Sequence, residues 1–340
     1  MKAAVVERPG KIRIWDIKGP EIGDYEALVR MKACGLCNST DTKIYHGHFP
    51  GVTRYPLVLG HEGVGEVVEV GTKVKSFKPG DVILELWGKI TDEGLGVGWG
   101  AFVEYGVVPD TVALEEDGLP WNPVSLRSQI VPKEIDPLDA VILITLKEAL
   151  SGLLNFGLQE GMSLLVFGDG PVGGALVRFA RLRGAGIVAC VGHWDERLRL
   201  IRRLGADCVV NEKKEDLKDA IQTAFGDLKF DLVIDAVGRN QIVNHAFTFV
   251  RPGGKIGMYG VAAEPDYTLP LAPWPNNVSL HKLFFPYKHE AVHQDVIEYV
   301  RNGDIRLKDF YSHVVPLDEI QRGIQLIESR EAFRVIVKIS

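Results

Sequence analysis

Two cysteines open the chemistry of this chain. They lie in Cys34-Gly35-Leu36-Cys37-Asn38-Ser39-Thr40-Asp41, and a histidine and a glutamate follow in Leu59-Gly60-His61-Glu62-Gly63. Thiolate and imidazole suit zinc, and a carboxylate beside the histidine serves as a third ligand or an outer partner. A catalytic zinc keeps one position open for water or substrate, so three protein ligands suffice. Taken alone, C-x-x-C also fits half of a structural zinc site or a redox pair. No second C-x-x-C exists: Cys190 and Cys208 fall in expected strands and read as core. No thioredoxin-like pattern surrounds Cys34.

A second chemistry lies further on. Ser163-Leu-Leu-Val-Phe-Gly168-Asp-Gly170-Pro171-Val172-Gly173 is G-x-G-x-x-G directly after a strand and opening a helix. Gly168 makes the tight turn, Gly170 lets backbone approach a pyrophosphate, and Gly173 lets helix and strand pack closely. The helix N-terminus, entered through Pro171 and Val172, attracts the phosphates. An NAD site asks for an acid about 20 residues on. The next strand, 187–191, instead ends in Gly192-His193-Trp194, with Asp195 and Glu196 only on the turn into the helix. An acid would repel a 2′-phosphate, whereas His193 and Arg197 would welcome one, so the pattern favours NADP over NAD. The competing reading has Asp195 reach the ribose and Arg197 remain solvated.

The elements that must position these residues come in two kinds. Up to about residue 110 the chain reads as short strands: 2–6, 11–16, 26–32, 63–70, 82–87 and 100–108, with Pro9-Gly10, Gly19-Pro20 and Lys78-Pro79-Gly80-Asp81 as turns. From about Asp136 the period changes. A long helix is expected over 137–156, and then apolar strands alternate with helices: strands 163–167, 187–191, 208–210, 232–236 and 255–260; helices 175–183, 197–204, 217–225 and 240–250. Strands that read apolar throughout, between helices, indicate a parallel sheet covered on both faces. Helices 291–301 and 317–329 and a strand 334–339 close the chain. The fold class is therefore α/β with a β-rich first part.

At this point the residues carry a resemblance. The chain resembles the zinc-type medium-chain dehydrogenase/reductases, the alcohol and polyol dehydrogenase superfamily. The matching pieces are G-L-C-N-S-T-D around Cys37, G-H-E-G-V-G-E-V-V-E-V-G from Gly60 to Gly71, K-P-G-D-V at Lys78, G-A-F-V-E-Y at Gly100, the glycine motif at Gly168, L-G-A-D at Leu204, D-L-V-I-D-A-V-G ending at Gly238, R-P-G-G-K-I at Arg251 and P-L-D-E-I at Pro316. Their order spans nearly the whole chain. The resemblance implies a GroES-like β-rich catalytic domain over 1–147, a Rossmann doubly wound parallel-sheet domain over 148–283, and a return segment over 284–340 that completes the first. It implies a zinc bound by Cys37 and His61 that lowers the alcohol's pKa while hydride passes to the nicotinamide. It also implies a proton relay begun by Thr40 or Ser39, and nicotinamide contacts at Val237, Gly260 and Val261.

Five departures bear on that reading. One extra residue separates Cys37 from Asp41, which leaves Ser39 and Thr40 both open as the relay hydroxyl. Lys43 stands where many members have a relay histidine, and His46 is three residues on. The usual third-ligand position falls on Leu143 or Ile144, which bind no metal, so Glu62 and Glu148 are the candidates; an exposed Glu148 beside Lys147 is the competing reading. Residues 88–99 hold no cysteine, so one catalytic zinc and no structural zinc is expected. The stretch 110–130 is long and would form a lid or contact.

Composition bounds the rest. With 340 residues, 46% hydrophobic and 25% charged, the chain has the balance of a globular protein of about two domains. A net charge of −6 argues against a nucleic-acid partner, and no apolar run approaches the ~20 residues of a membrane span. The start turns charged before a signal peptide could form, so a cytoplasmic protein is expected. The expected partners are a small alcohol or ketone and further copies of the chain, as dimer or tetramer, through a sheet edge near 255–260. Trp87, Trp99, Trp274, Phe285 and Tyr287 are pocket candidates or plain core. The leading function is a zinc-dependent alcohol dehydrogenase acting on a polyol, sugar or secondary alcohol. Its alternatives are a zinc-free quinone or enone reductase, against which Cys37, His61 and Glu62 speak, and a binding protein without activity.

Overall fold

The computed structural model describes residues 1–121, 129–262, 266–269, 275–283 and 288–340. Trp274, Phe285 and Tyr287 lie outside these residues, as do residues 122–128 of the stretch expected to form a lid. The chain divides into two compact units, Met1–Ile144 with Arg306–Ser340, and Thr145–Ile305.

In the first unit a seven-stranded sheet is built around the long strand Glu26–Leu36, which pairs antiparallel with Glu62–Val70 on one side and Val335–Lys338 on the other. A four-stranded sheet adds Lys2–Arg8 and Lys11–Asp16. The alternation of Glu26–Leu36 buries Ala27, Val29, Met31 and Ala33 and leaves the residues between them nearer solvent, as a strand with one core face must. The register sets the chemistry: Gly35 faces Glu62, Cys34 faces Gly63, and Ile336 faces Gly35. A strand from the end of the chain is thus laid beside the cysteine segment.

In the second unit six parallel strands stand in the order Cys208–Asn211, Ile187–Gly192, Ser163–Phe167, Phe230–Asp235, Val250–Met258, Ser279–Lys282. Numbered along the chain this is 3-2-1-4-5-6, the order of dinucleotide-binding sheets, with its switch point between the first and fourth strands. Leu164, Leu165, Val166 and Phe167 are all buried, because helices cover both faces.

Two boundaries and the place of one strand differ from expectation. The division near residue 147 falls between Ile144 and Thr145, inside the continuous helix Pro137–Phe156. The return to the first unit begins at Arg306 rather than 284, because the helix His293–Arg301 packs in the second unit, where Phe179 lies 5.8 Å from Tyr299. Finally, the strand ending at Met258 is interior. The sheet edge is Ser279–Lys282, whose mostly exposed residues gave no apolar signal. Among the described residues no helix is long and apolar enough to cross a membrane.

Candidate active site

Cys37 follows directly on the Glu26–Leu36 strand, where the chain turns into the short helix Thr40–Tyr45. The turn is held from within. The Cys37 backbone N–H donates to Asp41 Oδ2 at 2.9 Å, and the Thr40 N–H points at Cys37 Sγ at 3.4 Å. His61 comes from the other side, after Gly60, whose φ of +100° and contact with Phe102 admit no side chain: a Cβ there would lie 2.8 Å from the Phe102 backbone nitrogen.

The two loops converge. One ligand atom each from Cys37, His61 and Glu62 lies within 4.8 Å of the others. His61 Nδ1 stands 3.3 Å from Asp41 Oδ1, and its Nε2 is 3.7 Å from Glu62 Oε1. Burial works against a Cys37 thiolate, but the His61 ring beside it more than offsets this and holds the thiol below its ordinary value. Burial likewise opposes an imidazolium at His61, yet the Asp41 carboxylate and Cys37 raise it well above its usual range. An imidazole with a carboxylate behind one nitrogen and soft and hard donors before the other is a metal-binding constellation. The residues present therefore fit a zinc ion in donor chemistry and in spacing.

Behind Glu62 stands Arg334, an ion pair in which both side chains are buried. Gly35 makes room for it: a Cβ there would lie 2.1 Å from Glu62 Oε2. The sequence reading missed Asp41 and Arg334 as site residues. Asp41 was visible only as the end of a motif, and Arg334 comes from the last strand, with no local signal. Cys34, the other half of the C-x-x-C pair, is wholly buried, and burial pushes its thiol well up; it is a core residue. Ser39 and Thr40 are both half-buried at the helix start. Trp99 flanks the cluster with its ring 5.5 Å from His61.

Glu148 is half-buried on the Pro137–Phe156 helix in the second unit and has interactions of its own, while Lys147 is fully buried. The alternative of an exposed carboxylate beside Lys147 is thereby corrected. Leu143 and Ile144 are buried apolar side chains.

In the second unit the glycine loop has the shape of a phosphate cradle. Gly168 takes φ +130°, Gly170 faces open space, and a Cβ at Gly173 would lie 1.8 Å from Gly168 O. Pro171 begins the helix Pro171–Leu182, with Val172 following. Beside it, Asp235 accepts from the Val237 and Gly238 backbone N–H groups at 2.8 and 2.9 Å. Gly238 and Gly260 pack so closely that a Cβ on Gly260 would lie 2.2 Å from Gly238 N. Val237 and Val261 are left exposed there. These residues fit a dinucleotide: an open glycine at a helix N-terminus, at the switch point of a parallel sheet.

The residues expected beside a 2′-phosphate have partners of their own: His193 Nε2 lies 2.6 Å from Glu212 Oε1. Asp195 bonds Asn211 at 2.6 Å and pairs with Lys214, which draws it toward the third strand. Arg197 is half-buried on the helix Asp195–Leu204 and is itself engaged.

Comparison with known proteins agrees with both units. Residues 23–117 match the alcohol dehydrogenase GroES-like domain, and residues 171–301 match the zinc-binding dehydrogenase domain. An alcohol dehydrogenase of Geobacillus stearothermophilus is 30% identical, with 90% of each chain covered. This chain belongs to the zinc-type medium-chain dehydrogenases. A sorbitol dehydrogenase of Bacillus subtilis is 26% identical, over 99% of this chain and 97% of its own. Among solved structures, an alcohol dehydrogenase from Thermus sp. ATN1 superposes with a TM-score of 0.83 at 27% identity, covering all of both chains. This dehydrogenase is thus an oxidoreductase of the alcohol and polyol class.

Proposed function

We propose that this dehydrogenase oxidises a polyol, sugar or secondary alcohol, or reduces the matching carbonyl, with one zinc held by Cys37, His61 and Glu62. The observation that carries the reading is the convergence of those three donor atoms within 4.8 Å. When bound, zinc supplies a Lewis acid for the substrate oxygen, and the nicotinamide exchanges the hydride. Asp41 fixes the ring of His61 so that Nε2 faces the other donors. Arg334 holds Glu62 by Oε2 and leaves Oε1 for the ion. The hydroxyl of Ser39 or Thr40 relays the alcohol proton, taking it as it passes its own onward toward solvent. The glycine loop at Gly168 receives the pyrophosphate, and the loops at Val237 and at Gly260 and Val261 flank the nicotinamide. The sorbitol dehydrogenase relative supports a polyol or secondary alcohol as substrate. The donor set argues against the zinc-free reductase.

Metal analysis of protein purified without chelator tests this. About one zinc per chain is expected, with zinc and turnover on a panel of polyols and secondary alcohols both lost in Cys37→Ser. A zinc-free protein whose Cys37→Ser variant turned over normally would remove the mechanism.

A further inference from the structure

We infer that Asp169, in the glycine loop, supplies the carboxylate that receives the adenosine ribose, and that this enzyme selects NAD(H) against NADP(H). The inference rests on the dinucleotide reading above and names the discriminating residue within it.

Sheets of this order recognise the ribose hydroxyl with an acid at the end of the second strand. Here that strand, Ile187–Gly192, ends in glycine. The space is not empty. A Cβ built on Gly192 would lie 2.4 Å from Asp169 Cβ and 2.6 Å from its Oδ2. The side chain of Asp169 therefore stands where the strand-end side chain would be, reaching it from the neighbouring strand's loop. The glycine at 192 and the acid at 169 explain each other: either one without the other leaves a gap or a collision.

The carboxylate is also fixed and directed. The backbone N–H groups of His193 and Trp194 donate to Oδ2 at 2.7 and 2.9 Å. Among the described residues Oδ1 takes no bond, so it remains an acceptor for a donor from outside. A 2′-hydroxyl has a proton to give. A 2′-phosphate at neutral pH brings charge and no donor, and meets the Asp169 carboxylate. The cations nearby are committed. His193 sits on Glu212, Lys214 on Asp195, and Lys213 Nζ lies 4.1 Å over the Trp194 ring. Arg197 has its own engagement.

The test is binding, without substrate or turnover. NAD+ and NADP+, and the nicotinamide-free pair ADP-ribose and 2′-phospho-ADP-ribose, are titrated by calorimetry and tryptophan fluorescence. Wild type is expected to bind the non-phosphorylated member of each pair at least about tenfold more tightly. Asp169→Asn is isosteric: its amide oxygen keeps the two backbone donors and its NH2 group replaces Oδ1. It should erase the preference, chiefly by tightening the phosphorylated ligands about tenfold or more. The double variant Asp169→Gly/Gly192→Asp removes the Cβ that would collide with a side chain at 192, returns the acid to the strand end and should restore it. Tighter binding of NADP+ by wild type, or an equal loss for both ligands in Asp169→Asn, overturns the inference while leaving the dinucleotide reading intact. Failure of wild type to bind any of the four would remove that reading, and this one with it.

Discussion

A methyl group added at Gly35 would lie 2.1 Å from Glu62 Oε2 and 2.9 Å from Arg334 Nη2. Gly35→Ala is therefore expected to cost about 1–3 kcal/mol by overpacking, read as a lower midpoint in urea unfolding. Arg334→Met leaves Glu62 buried without its counter-ion, and about 3–5 kcal/mol should be lost. Asp41→Asn keeps the shape behind His61 but not the charge. Zinc affinity should fall about 10- to 100-fold in a chelator competition, with the fold unchanged in circular dichroism. At this scale the sequence named Cys37, His61 and Glu62 as candidates, which the fold brings together, because each sits in a short motif whose residue types name their chemistry. It did not reveal what stands behind them. Asp41 and Arg334 act across loops and strands, and pairing of that kind leaves no local pattern.

Short helices depend on their ends. Asp110 caps the helix Thr111–Glu116 by accepting from the Ala113 N–H, and it also accepts from the Lys75 and Ser76 N–H groups and from Ser76 Oγ. Burial pushes its carboxyl up, but these bonds prevail and hold it below its ordinary value. A carboxyl depressed in the folded state stabilises above its unfolded value and ceases to do so as pH falls through its folded one. Asp110→Ala should thus cost about 1–3 kcal/mol at pH 7, and the gap from wild type should narrow steadily below pH 4 in paired urea titrations. The long helix Pro137–Phe156 and the interior parallel strands were legible, since burial on both faces makes their residues apolar throughout. The helix Thr40–Tyr45 is too short for a period, and Ser279–Lys282 is a polar edge; neither carried a signal.

The first unit is made from both ends of the chain, and the second lies between them in sequence. A chain ending at Ile305 would lack two strands of the seven-stranded sheet and Arg334 with them. It is expected to retain no zinc, while the continuous second unit still binds ADP-ribose; metal content and a calorimetric titration check the two halves of this statement. The alternation of strands and helices made the division readable in outline, but the exact return point depended on which unit the helix His293–Arg301 packs with.

Asn38, next to Cys37, donates to the carbonyl of Phe333, 295 residues away. At about 5–20 residues per second, translation separates these two partners by roughly 15 to 60 s. For most of that interval the nascent chain holds Cys37, His61 and Glu62 but no Arg334 to neutralise Glu62. On the proposed zinc reading, loading with metal is accordingly a late event in the life of each molecule, and a ribosome stalled near the stop codon would hold a chain that has its donors but not the arginine that pairs with Glu62.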